Sequence, residues 1–89
     1  MKKQEFINLL NEYGDATVNY RSKNSRKLKY NVCTLDFNNK HIQSKSNRAK
    51  ESANEVLLFA WDTDSFRLLD PELVTKVDPL SATLKNESI

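Results

Sequence analysis

The first apolar positions of the chain recur at the spacing of an α-helix. Large apolar residues return every three or four positions, which places them on one helical face: Phe6, Ile7, Leu9, Leu10 and Tyr13. Gly14 follows, and it is the only glycine in the chain. A glycine in this place is typical of a left-handed helix end. The pattern therefore predicts an N-terminal helix that ends at Gly14.

After Gly14 the period changes to two. Residues 16–20 alternate apolar and polar positions, which predicts a half-buried strand. A polar turn follows, with Asn24 expected in the left-handed conformation. Residues 27–37 predict a long strand whose apolar positions change face after Val32, so we expect a bulge or a strong bend there. A short returning strand over residues 41–43 and a polar loop over 44–54 complete this half.

The second half begins with the most apolar run of the chain, VLLFAW at residues 56–61, which predicts a central strand buried on both faces. A turn over residues 62–65 joins it to a second strand, 66–69, in a hairpin. Asp70 followed by proline predicts a single helical turn with Asp70 as its N-cap. A last short strand is expected over residues 74–77.

These elements predict one α+β domain over residues 1–80, with a flexible C-terminal tail over 81–89. The expected architecture is an N-terminal helix followed by a five-stranded antiparallel SH3-like (Sm-type) small β-barrel. Closing short strands into a barrel removes exposed edges, which favours this architecture. An open antiparallel sheet packed on the helix is the alternative.

Three short segments carry a resemblance to a known family: VNYRS at residues 18–22, FAWDTD at 59–64 and FRLL at 66–69. Together with the order of the elements, they resemble the Sm-type barrel and, more narrowly, the WYL domain of bacterial and phage regulators. Arg67, after the aromatic residue of its strand, matches that pattern. The resemblance implies a small barrel that binds nucleic acid or a nucleotide-like ligand. The scarcity of glycine and the small size also resemble short proteins of tailed phages.

The chain has few residues for catalysis or metal binding. One cysteine and one histidine cannot form a structural zinc site, and a single glycine cannot form a glycine-rich phosphate loop. Cys33 is expected to be a buried strand residue and His41 a surface residue. We therefore predict a protein that is not an enzyme, with no catalytic residue, no metal site and no cofactor.

Charge is distributed unevenly, although the net charge is only +2. Residues 21–50 contain nine Lys and Arg residues against one acid, whereas residues 51–89 contain three against eight acids. This asymmetry predicts an anionic partner for the basic segment. A solvated surface whose two ends offset each other is the alternative.

Long cationic side chains contact phosphates without reading sequence, so the basic segment predicts binding to RNA or DNA. The predicted nucleic-acid contacts are Arg21, Lys23, Arg26, Lys27, Lys29, Lys45, Arg48 and Lys50. Tyr20, Tyr30 and His41 would add stacking on bases. Strand alternation, however, favours the core for both tyrosines.

A second hypothesis is a phage-encoded protein–protein interaction module that acts on a host complex. It rests on the predicted hairpin over residues 56–69, where aromatic side chains stand beside acidic ones. If exposed, they would form an interface of Phe59, Trp61, Phe66 and Arg67. A core or barrel-rim position is the alternative for Trp61. Free strand edges would also allow a homo-oligomer.

The sequence predicts a cytoplasmic protein of a bacterium or an infected host cell. A single cysteine argues against a secreted disulfide scaffold. The basic start of the chain is not followed by the apolar segment of a signal peptide. The longest apolar run is too short to span a bilayer, so no membrane partner is expected.

Overall fold

The computed structural model describes residues 1–42 and 50–81, which form one α-helix and one five-stranded antiparallel sheet. A single 3₁₀ turn, Pro71–Leu73, separates the last two strands. The elements are α1 Lys3–Tyr13, β1 Asp15–Arg21, β2 Leu28–Thr34, β3 Val56–Ala60, β4 Ser65–Leu69 and β5 Val74–Pro79. No helix in these ranges is long and apolar enough to cross a membrane.

The predicted helix and its end are confirmed. α1 buries Phe6 and Leu10 against the sheet. Gly14 has φ 76°, and its amide donates to the Leu10 carbonyl at 2.9 Å. The 3₁₀ turn is confirmed as well, since Asp70 Oδ1 accepts a hydrogen bond from the Glu72 amide at 3.0 Å. The C-terminal end of α1 follows from a positive φ at glycine, and the start of the 3₁₀ turn follows from an aspartate cap.

The strand order is β4-β3-β2-β1-β5. β1 and β2 pair along their whole length, from Asp15 opposite Thr34 to Arg21 opposite Leu28. β3 lies between β2 and β4, as expected for the most apolar strand. The predicted barrel is wrong in one respect, because the edge strands β4 and β5 are not hydrogen-bonded to each other in the described chain, and the sheet stays open.

The length of β2 explains why the sheet does not close. A small barrel needs one long, bent strand that pairs with neighbours on both sides. β2 instead ends at Thr34, whose hydroxyl accepts from the Asp36 amide at 3.1 Å, and the Phe37 amide bonds back to the Leu35 carbonyl. Only Cys33 and Thr34 pair with β3. The strand predicted over 41–43 is absent at its two described residues, which lie in a turn, and Gln43 lies outside the described residues.

The main core lies between α1 and one face of the sheet, which we call the inner face. Alternate residues of the strands point to it, as the two-residue period requires. Its buried members are Phe6, Leu10, Ala16, Val18, Tyr20, Cys33, Val56, Leu58, Ala60, Leu69 and Val74. The tyrosine of β1 is therefore a core residue, as alternation predicted.

The opposite, outer face is covered over β3 and β4 by an aromatic cluster of Phe37, Phe59, Trp61 and Phe66. Phe59 is fully buried at its centre, with ring centroids 5.1 Å from Trp61 and 5.2 Å from Phe66. Phe37, from the segment after β2, meets Phe66 at 5.4 Å. All three contacts are edge-to-face, the geometry that aromatic pairs prefer. The bulge predicted after Val32 does not form, because β2 keeps an unbroken register with β1 to Thr34, and the chain then leaves the sheet and folds over it.

Candidate nucleic-acid interface

Five of the predicted cations lie at the free end of the β1–β2 hairpin, and all are exposed: Arg21, Lys23, Arg26, Lys27 and Lys29. We call them the hairpin cations. The Ser22 amide donates to the Lys27 carbonyl at 2.9 Å, and the Arg26 amide donates to the Ser22 carbonyl at 2.8 Å. The left-handed residue of this turn is Arg26, at φ 57°, and the prediction of Asn24 is wrong.

The hairpin end borders an open cavity of about 200 Å³, which we call the basic cleft. Three hairpin cations line it, together with Arg67 from β4. A second depression adjoins it along Arg21 and Lys23 and adds Arg26. The basic cleft is lined by Tyr20, Arg21, Ser22, Lys23, Asn24, Lys29, Glu55, Arg67, Leu68, Leu69, Asp70 and Leu73.

Four cations line the cleft against two acids, Glu55 and Asp70, so its net charge is positive. None of the hairpin cations forms an ion pair with another described residue, since the salt bridges of these ranges are Lys3–Glu51 and Lys76–Asp78. The Arg21 guanidinium donates to the Arg26 carbonyl at 3.2 Å. Asp70, one of two acids in the cleft, is engaged as the cap of the 3₁₀ turn. The cleft therefore attracts anions.

Of the other three predicted cations, one lies away from the basic cleft and two lie outside the described residues. Lys50 is exposed and does not line the basic cleft. Its neighbour Glu51 accepts from the Leu57 amide at 3.0 Å and pairs with Lys3 at 3.0 Å. These contacts, the Leu57 hydrogen bond first, lower the pKa of Glu51. Lys45 and Arg48 lie outside the described residues.

The residues of the alternative protein interface have separate environments. Phe59 is fully buried and is not available to a partner in this conformation. Trp61 is half-buried, and its Nε1 donates to Asp15 Oδ1 at 2.9 Å. Phe66 is half-buried in the aromatic cluster, and Arg67 belongs to the basic cleft.

Two further side chains with reactive groups, Cys33 and His41, do not line the basic cleft. Burial, then the Asp62 charge, raises the pKa of the Cys33 thiol to about 12, against a smaller opposing effect of Arg67. Cys33 is therefore a protonated core residue at neutral pH, in keeping with its predicted structural role. His41 is exposed as predicted and lies 6.5 Å from the Trp61 ring. Within residues 1–42 and 50–81, no group of three or more His, Cys, Asp or Glu side chains is arranged to hold a metal ion.

Comparison with known proteins finds no family model, no curated protein and no solved structure that matches this chain.

Sequence reasoning missed two features of this surface. It assigned Arg67 to the alternative interface, because nothing local shows that β4 faces the β1–β2 hairpin. It also favoured the core for Leu28 and Tyr30, which are 59% and 64% exposed. No local signal gave this outcome, because the buried residue between them is polar, Asn31.

Proposed function

We propose that this protein is a regulatory, non-enzymatic module that binds RNA or DNA through the hairpin cations and Arg67. The observation that carries the proposal is their convergence on one end of the molecule, around a cleft where they lack ion-pair partners among the described residues. Cations without protein partners keep their full attraction for phosphates. Such contacts supply affinity that does not depend on sequence.

We propose further that the sheet is an open relative of the Sm-type, SH3-like and WYL-like small barrels. Two features support this relation: the strand order β4-β3-β2-β1-β5, and the 3₁₀ turn between β4 and β5. The basic cleft lies between the edge strand β4 and the end of the β1–β2 hairpin, where Arg67 meets the hairpin cations.

Fluorescence anisotropy with labelled RNA and DNA across a salt series tests the function. We expect binding whose affinity falls steeply as salt rises, because counterions are released from the phosphates. Replacing Arg26 and Lys27 by Gln together is expected to weaken binding evenly across sequences. It should also lower the salt slope by roughly one per lost phosphate contact.

The matched control replaces Lys2 and Lys40 by Gln, which removes the same charge from two exposed positions outside the hairpin. Equal losses in both double variants would mean that net charge, and not the hairpin, governs binding. No binding at low salt would refute the proposal and leave the protein-interaction hypothesis.

A further inference from the structure

Leu28 and Tyr30 are the large apolar side chains that the described chain leaves exposed, at 59% and 64%. They are two residues apart on β2, so they share the outer face of the sheet. Tyr30 makes no ring contact and no side-chain hydrogen bond with another described residue. We call this pair the β2 platform.

The fold explains why the platform is bare. α1 and the main core lie on the inner face. The aromatic cluster covers the outer face over β3 and β4 and reaches the start of β1 through Trp61, whose Nε1 donates to Asp15 Oδ1. β3 pairs with β2 only at Cys33 and Thr34, so Leu28 and Tyr30 lie beyond the paired region. Beyond its pairing with β3, the β1–β2 hairpin therefore has only β5 beside it in the described sheet, as far as Tyr20, and it carries an apolar surface on its outer face.

Basic and polar side chains surround the platform. Arg21 is paired with Leu28, and Asn19 is paired with Tyr30. Lys76 is the partner of Asn19 on β5, about 10 Å from Tyr30 at two strand spacings. Lys76 also pairs with Asp78 at 3.4 Å. Arg21 belongs both to this face and to the basic cleft, so the two surfaces are continuous.

We propose that the β2 platform stacks unpaired bases, and that the protein consequently prefers single-stranded to duplex nucleic acid. This inference rests on the proposed function. A base stacks on an exposed aromatic ring only when its face is free, and in a duplex the neighbouring base pairs cover that face. The positive charge beside the ring holds the phosphates of the same strand. An apolar protein partner would gain nothing from this charge, which favours nucleic acid as the occupant.

The test compares a labelled single strand with the matching duplex, for the full chain and its Tyr30→Ala and Tyr30→Phe variants. Tyr30→Ala is expected to weaken single-strand binding by about 5- to 150-fold, the range measured for one stacked base. Tyr30→Phe keeps the ring and is expected to keep the affinity. Duplex binding, which uses phosphates alone, should change by less than about twofold in either variant.

The outcomes separate this inference from the proposed function. Single-strand binding that Tyr30→Ala leaves intact would refute the platform while the hairpin cations still explain binding. An equal loss of affinity for single strand and duplex in Tyr30→Ala would also refute it, because stacking on unpaired bases would lower the affinity for the single strand alone. If the wild-type protein binds neither nucleic acid, both proposals fail. Circular dichroism melts of both variants confirm that the exposed substitution leaves the fold intact.

Discussion

The outer face of the sheet has two halves that look alike in sequence and differ in structure. Over β3 and β4, apolar residues are covered by rings from neighbouring segments, and Phe59 is fully buried. Over β2, Leu28 and Tyr30 remain exposed. Each half carries large apolar residues at alternate positions. The difference lies in what folds over them.

The cover comes from the segment after β2. When the chain leaves the sheet at Thr34, it carries Phe37 back onto Phe66 of β4, and the described residues of this segment leave Tyr30 exposed. The path of the chain after Thr34 thus decides which apolar surface becomes core and which stays available to a ligand. The covered half stabilises the sheet, and we assign the bare half to base stacking.

The largest expected effect is at the centre of the covered half. Phe59→Ala should lower the free energy of unfolding by about 3–5 kcal/mol, because a buried ring is lost and a cavity remains. Tyr30→Ala, its counterpart on the bare half, should stay within about 0.5 kcal/mol. Urea unfolding of both variants measures the contrast.

Phe59→Leu serves as a milder step if the alanine variant does not fold. Equal losses of unfolding free energy in Phe59→Ala and Tyr30→Ala would show that Tyr30 is covered in solution. The contrast between the two halves of the outer face would then disappear.

An intermediate effect is expected at Asn31, whose burial determines which residues of β2 face the core. The Tyr20 hydroxyl donates to Asn31 Oδ1 at 2.5 Å, and Asn31 Nδ2 donates to Asp62 Oδ2 at 2.9 Å. Asn31→Ala leaves the buried tyrosine hydroxyl without its acceptor and should cost about 1–3 kcal/mol. A double-mutant cycle with Tyr20→Phe should give a coupling energy of about 0.5 kcal/mol or more. Strictly additive losses would contradict a shared network.

A smaller effect is expected at high pH. Because folding raises the Cys33 pKa from 9.0 to about 12, the unfolded state loses this proton first and stability falls as pH rises above 9.0. The loss is on the order of 1 kcal/mol at pH 10. Comparing wild type with Cys33→Ala separates this loss of stability from the effect of lysine titration. Parallel stability curves for the two proteins would mean that the thiol is already solvated in the fold.

Sequence patterns alone were sufficient for several elements whose cause is local. The helical spacing before Gly14, the alternation of β1 and the Asp70-Pro71 turn all form as predicted. The five hairpin cations are exposed as expected, because they lie in and beside a polar turn. These features depend on neighbours a few residues away, and such neighbours can be read from the chain.

Three features were decided only by the tertiary structure. The sheet stays open because β2 stops after seven residues, and strand length depends on partners far along the chain. Arg67 joins the basic cleft because the fold places β4 opposite the end of the β1–β2 hairpin. Tyr30 faces solvent because Asn31 finds hydrogen-bond partners on β1 and beyond β3, which makes a polar residue acceptable inside. Periodicity treats asparagine as a surface residue, and only its distant partners reverse that assignment.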